Sequence, residues 1–270
     1  MTESSSRYLV GIDLGTTNCA LAYVDLEAEG PAGETRPIQT LAVPQVEKPG
    51  AIAERSLLPS FVYLPDVAEK GEIDLALPWS KATKKETAPQ VAVGAWARDR
   101  GAERPGCVVE SAKSWLGYPK ADREGPILPW QTTDEVEKIS PVEAAAHYLT
   151  HLRDAFDHVV CGGQKKTIEQ HGLAASPVVL TIPASFDAVA RELTMRAAEQ
   201  AGLQHVTLLE EPQAAFYAWL HAAGEEWREA VSVDDTVLVC DVGGGTTDFT
   251  LIRVAESAGD LTLERIAVGE

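Results

Sequence analysis

Basic residues are in short supply. The 270 residues carry 23 Lys and Arg against 41 Asp and Glu, a formal net charge of −18. That imbalance argues against nucleic acid or an anionic membrane as the main partner. Cysteine is scarce as well: Cys19, Cys107, Cys161 and Cys240 are scattered, with no Cys-x-x-Cys pair. The spacing suits neither a disulfide framework nor a zinc site and reads as reduced thiols in a cytoplasmic protein. No run of about 18 apolar residues occurs, so no membrane span is expected. Met1–Arg7 is short and polar, unlike the apolar core of a signal peptide. What remains is an ordinary globular composition, 45% apolar, long enough for one or two domains and a sizeable core.

Two stretches stand out. Asp13-Leu14-Gly15-Thr16-Thr17-Asn18 follows the apolar run from Tyr8 to Ile12, and Asp241-Val242-Gly243-Gly244-Gly245-Thr246-Thr247-Asp248 follows Val237 to Cys240. Each reads as strand, carboxylate, glycine-rich turn with Thr hydroxyls, then a second strand. Glycine lets backbone N–H groups close on a polyphosphate, and Thr hydroxyls add hydrogen bonds to its oxygens. A carboxylate repels phosphate unless a cation lies between them. Mg²⁺ is typically held by one or two carboxylates together with phosphates. Asp13 and Asp241 are therefore candidates for one shared Mg²⁺. Either turn alone would also suit a plain tight hairpin. Two copies set far apart favour a nucleotide held between two related lobes.

Between the turns the pattern is mixed. Residues 8–13 and 20–25 read as a hairpin, with a further strand at 40–43. Residues 27–57 read as an irregular excursion, and Leu58 to Leu64 as one strand. A short strand at 91–94 leads into a helix near 95–101, and a second helix is expected over 109–116. Trp79, Trp96, Trp115 and Trp130 fall in this variable region and read as packing residues. Ser140-Pro141-Val142-Glu143 has the signature of a helix start, with Ser140 as cap, Pro141 in the first turn and Glu143 completing a capping box. The helix should run to about 159, followed by a loop over 161–176. Pro177 to Ile182 is a continuous run, apolar but for Thr181, as for a strand in a sheet buried on both faces. A helix over 187–201, ended by Gly202, a strand at 206–209 and a helix from Pro212 follow. Strands at 236–241, 246–254 and 261–268 close the chain. The alternation argues for an α/β architecture.

These motifs, in this order, resemble the actin-like ATPase superfamily. Within it they resemble the ATPase domain of the seventy-kilodalton heat-shock chaperones of DnaK type. Gly11 to Asn18 and Asp241 to Asp248 match the two phosphate loops. Val179 to Phe186, with Arg191 and Ala201-Gly202-Leu203, matches the linking segment. Glu210-Glu211-Pro212-Gln213-Ala214-Ala215 is similar to the family's Asn-Glu-Pro-x-Ala-Ala run. Pro59-Ser60-Phe61 and Ala112 to Gly117 fit weaker motifs. The resemblance implies an α/β, actin-like (ribonuclease H-like) fold. Residues 1–230 would form a first lobe, with core 1–45 and 136–230 and an inserted subdomain at about 46–135; residues 231–270 would begin a second.

The resemblance also implies ATP or ADP with Mg²⁺, and admits K⁺. Gly15, Thr16, Thr17, Asn18, Gly243, Gly244, Gly245, Thr246 and Thr247 would hold phosphates. Asp13 and Asp241 would hold Mg²⁺ through water. Glu211 would orient the attacking water, with Asp241 and Thr246 also serving the reaction. Pro183 and Arg191 would relay nucleotide state towards a peptide-binding domain, through which client peptides and co-chaperones act. Read without the resemblance, Glu211-Pro212 is a plain helix start, Pro183 a strand terminator and Arg191 a solvated helix residue.

Some positions depart from the family. A lysine that reaches the transferred phosphate has Arg98 in its place, which can grip phosphate by its fork but cannot release a proton. Glu210 stands where the family has Asn, adding a carboxylate beside the site, and Ser185 replaces an aromatic residue. The chain stops at Glu270, before the family's purine-and-ribose motif, returning helix and peptide-binding domain. The expectation is therefore an N-terminal fragment that binds ATP in the millimolar range, roughly −4 kcal/mol, with hydrolysis belonging to the full-length protein. The alternatives are a small-molecule kinase of the sugar or acetate type, an actin-like filament protein, and a nucleotide sensor in which Arg98 impairs turnover.

Overall fold

A computed structural model describes residues 6–28, 36–67, 69, 72–80, 91–132, 136–244, 247–257 and 260–269. The hairpin β1 (Tyr8–Leu14) and β2 (Asn18–Asp25) is followed by β3 (Gln39–Thr40), β4 (Val43–Lys48), β5 (Ala51–Arg55), β6 (Leu58–Pro59) and β7 (Phe61–Tyr63). Next come β8 (Ala92–Val93), α1 (Ala95–Glu103), β9 (Val108–Glu110) and α2 (Ala112–Gly117). The chain continues through α3 (Pro141–Val159), α4 (Lys165–His171), β10 (Val178–Ile182), α5 (Ala188–Gln200) and β11 (Val206–Glu210). It then passes α6 (Glu211–Ala223) and α7 (Trp227–Ala230) to the meander β12 (Thr236–Val242), β13 (Thr247–Ser257) and β14 (Asp260–Gly269). Among the described residues no helix is long and apolar enough to cross a membrane.

The central sheet has the order β11-β10-β1-β2-β3, with β6 paired to β2. Strands β11, β10 and β1 are parallel, and β1–β2 is an antiparallel hairpin. Alternate residues Val10, Ile12, Leu14, Leu180 and Ile182 face inward. The helices α3 and α5 contribute to the same core. The capping box expected of α3 is formed: Glu143 N–H donates to Ser140 Oγ at 3.1 Å, and Ser140 N–H to Glu143 Oε2 at 2.7 Å. Its apolar face buries Val142, Ala145, Leu149, Leu152 and Phe156. The Phe156 ring meets Tyr8 and Tyr23 edge-on, each at 5.5 Å between centroids. Helix α5 is capped by Asp187, which accepts from Ala190 N–H at 2.7 Å. Gly202 ends it at φ +79°, a left-handed turn that favours glycine.

The opposite sheet face differs from the two-sided burial expected of β10. Leu9, Gly11 and Asp13 on β1 are exposed, and Val179 and Thr181 on β10 are half-buried. Helix α6 lies against β10 and β11, so among the described residues it covers that end of the sheet and leaves the β1–β2 end open.

Other sequence expectations are also corrected. The excursion 27–57 contains the β4–β5 hairpin. Pro44 and the polar Gln45 hide its strand pattern, yet Gln45 is fully buried because it donates to Leu57 O at 3.0 Å and accepts from Ala95 N–H at 2.9 Å. The strand expected over Leu58 to Leu64 breaks at Ser60 into β6, which joins the central sheet, and β7, which pairs with β8 and β9. The helix expected over 109–116 starts only at Ala112: Val108–Glu110 is a strand, and Ser111 at φ +54° separates the two. Part of the loop 161–176 is the helix α4. Trp96 is buried against Tyr63, whereas Trp130 is 54% exposed and stacks obliquely on Trp115.

Candidate functional site

The two glycine-rich turns meet. A cleft of about 600 Å³ is lined by Asp13, Gly15, Thr16, Thr17 and Asn18 from the first turn, and by Asp241, Gly243 and Gly244 from the second. The approach is close enough that a Cβ at Gly244 would lie 2.0 Å from Thr17 Oγ1. Within the first turn, a Cβ at Gly15 would lie 2.2 Å from the Asn18 carbonyl oxygen. At Gly15 the obstacle is backbone, so glycine is required there; at Gly244 it is the Thr17 side chain, whose hydroxyl would have to turn away. Thr247 opens β13 opposite Val242. Gly245 and Thr246 lie outside the described residues.

Ser60, in the break between β6 and β7, braces the first turn. Its N–H donates to Thr17 O at 2.9 Å and its hydroxyl to Gly15 O at 2.7 Å. Asp13 leaves the end of β1 beside β10, and the Thr181 hydroxyl donates to its Oδ1 at 2.9 Å. Asp241 is the next-to-last residue of β12. The two carboxylates thus enter one cleft from two separate sheets. With phosphate oxygens and water, such a donor set suits Mg²⁺.

The cation in the cleft is Lys113, on α2. Its side chain is 9% exposed, and its ammonium pairs with Glu211 Oε1, on a side chain 16% exposed. Glu211 opens α6, where the helix dipole favours a negative charge. Burial pushes its carboxyl above the ordinary carboxylate range; Lys113 opposes the rise, and Asp13 and Asp241 add to it. Sequence reasoning passed over Lys113 as a site residue, although it lies within the weak Ala-Lys-Ser-Trp-Leu-Gly motif. A lone basic residue in a strongly acidic chain was the available signal.

Arg98 is not brought to this cleft. It sits on α1, 51% exposed, and pairs with its neighbour Asp99 at 2.9 Å. It lines a different hollow, with Phe61, Trp115 and Trp130. The reason is the direction of α1: Ala95 and Ala97 are buried, and Arg98 follows on the outer side. Pro183 ends β10. Arg191, on α5, donates to Glu210 Oε1 at 2.7 Å and to Phe186 O at 3.1 Å. Arg191 therefore flanks the β11–α6 junction rather than the phosphate turns, and Pro183 follows Ile182, the β10 residue paired with Glu210.

A parallel sheet with one hairpin, facing a second strand–turn–strand unit across a carboxylate-lined cleft, belongs to the actin-like ATPase class of fold. A family model described as "Hsp70 protein" matches residues 84–264, more than half of the chain; the chain belongs to the Hsp70 family and corresponds to a fragment of its ATPase domain. It is 29% identical over 259 residues to a chaperone protein HscA homolog of Tolumonas auensis, covering 92% of this chain and 32% of the relative. It is 31% identical to chaperone protein HscA of Yersinia enterocolitica over 251 residues, 92% of this chain and 33% of the relative. An HscA homolog of Actinobacillus pleuropneumoniae is 33% identical over 262 residues, with the same shares. The chain thus spans about a third of the length of these curated relatives.

Proposed function

We propose that the cleft binds the phosphates of ATP or ADP and serves ATP hydrolysis in a chaperone of the HscA-like kind. The observation that carries this reading is the meeting of the two glycine-rich turns at Gly244 and Thr17, with Asp13, Asp241, Lys113 and Glu211 lining the same space. Backbone N–H groups of both turns and the hydroxyls of Thr16 and Thr17 would hold phosphate oxygens. Mg²⁺, held through water by Asp13 and Asp241, would neutralise phosphate charge. Glu211 would accept a hydrogen bond from the attacking water and orient it towards the γ-phosphorus. Lys113, already paired with Glu211, would offer its N–H groups to the transferred phosphoryl oxygens, where charge develops.

On this reading Lys113 takes the part that the sequence alone suggested for Arg98. The domain division, with residues 1–230 as first lobe and 231–270 as the beginning of a second, follows the same reading. A cytoplasmic location, and clients and co-chaperones acting through other parts of the whole protein, belong to it too. Family membership favours it over a small-molecule kinase or a filament protein. The phosphate contacts alone support an affinity in the millimolar range, about −4 kcal/mol.

The test is calorimetric titration of the 270-residue chain with the magnesium complex of a non-hydrolysable ATP analogue, which keeps the γ-phosphate. Lys113→Ala should weaken binding at least about tenfold, the worth of one charge-assisted contact, and Arg98→Ala by less than about twofold. Equal losses, or a loss from Arg98→Ala alone, would count against the assignment.

A further inference from the structure

We propose that Glu210 is a positioning residue that clasps β14, from the second sheet, onto the first-lobe junction that carries Glu211. Its Oε1 accepts from Arg191 Nη2 at 2.7 Å and from Arg265 Nη1 at 2.5 Å. Arg191 comes from α5, and Arg265 from β14, opposite Ile252 in the register. Arg265 Nη1 also reaches Ala184 O at 3.3 Å, and Arg191 Nε donates to Phe186 O at 3.1 Å. One carboxylate thus gathers four pieces: the turn after β10, helix α5, the β11–α6 junction and β14.

The residue type matters. An Asn at 210, as the resemblance leads one to expect, is one methylene shorter and neutral: its amide oxygen can accept hydrogen bonds but brings no charge to set against two guanidinium groups. Glutamate reaches both, and the planar fork of arginine gives each contact a direction. Glu210 is the residue before α6, so clamping it from two sides fixes the backbone from which Glu211 turns towards Lys113. The Arg265 contact exists only while β14 lies against the first lobe, so the clasp holds the cleft closed and aligns Glu211 in the same step. Glu210 is 14% exposed, Arg191 33% and Arg265 39%, so salt should weaken the clasp.

The clasp itself is independent of the ligand; its consequence for binding rests on the nucleotide reading above. Two measurements separate them. The first is hydrogen exchange of β14 amides in the 270-residue chain for wild type, Glu210→Gln, Arg265→Gln and the double variant. Each single variant should speed β14 exchange about two- to fivefold, as for a partly exposed ion pair. The double variant should add nothing beyond the larger single effect, Arg265→Lys should keep part of the protection, and high salt should erase the differences. Exchange in α3 should not change, which separates the clasp from a general loss of stability. Additive effects of the two variants, or unchanged β14 exchange, would overturn the proposal. The second is MgADP affinity, which should fall by the same factor in both single variants. If wild type binds no MgADP but β14 behaves as described, the nucleotide reading fails and the clasp stands.

Discussion

Replacing Lys113 by methionine probes the centre of the cleft. The pair it forms with Glu211 is largely shielded from solvent, 9% and 16% exposed. Methionine keeps most of the aliphatic stem and deletes the charge. Glu211 is then left buried, with Asp13 and Asp241 as its charged influences. Breaking a buried ion pair costs about 3–5 kcal/mol. Because Glu211 can respond by taking up a proton, the lower end applies: about 3 kcal/mol at neutral pH, or roughly 6–12 °C in the unfolding midpoint of a chain this size.

The pH dependence supplies the sign. Burial holds the Glu211 carboxyl above its ordinary value, so the folded protein binds that proton more readily than the unfolded chain. Its contribution to stability therefore falls as pH rises through the window between the ordinary and the raised value. Deleting Lys113 removes the opposing influence and extends the window upward. The deficit of Lys113→Met should be largest at alkaline pH and shrink towards the ordinary carboxylate range. Urea unfolding of both proteins across that range measures it, and Lys113→Met combined with Glu211→Leu should recover most of the loss. A deficit below about 1 kcal/mol at alkaline pH, or one that grows on acidification, refutes the reasoning.

Two further outcomes concern the scaffold. Ser140→Ala removes the acceptor for Glu143 N–H and should cost about 1 kcal/mol in denaturant unfolding, with Ser140→Asp retaining most of the cap. His151 is buried, its Nε2–H donating to Pro44 O at 2.9 Å, and burial lowers its pKa to about 4. The unfolded chain takes up that proton near pH 6.5 and the folded one only near pH 4, so stability falls as pH drops through this window. His151→Gln should flatten the acid limb of the stability–pH curve by up to about 3 kcal/mol.

Much of the scaffold is legible in the residues because local rules agree there. The capping box of α3, the cap and glycine stop of α5 and the two glycine-rich turns each combine a residue type with a spacing that has one structural meaning. The β4–β5 hairpin is not legible, because Gln45 and Pro44 occupy inward positions through partners far along the chain. The start of α2 is misread because the apolar run Val108-Val109 is also compatible with a helix, and only pairing with β7 makes it a strand. Lys113 and Thr181 are missed for a related reason. Thr181 has no local signature and the motif around Lys113 is a weak one; each gains its place through a tertiary partner, Asp13 or Glu211. Arg98 shows the converse, since a motif position says little about which side of a short helix a residue occupies.

The central claim is that the two turns grip one phosphate chain. Backbone amide shifts of Gly15 to Asn18 and of Gly243 and Gly244, followed by NMR as MgADP is added to the 270-residue chain, test it most directly. The account predicts that both turns respond together along one binding curve, and that Asp13→Asn or removal of Mg²⁺ weakens both. A response confined to one turn, or shifts at both turns with different midpoints, would contradict it.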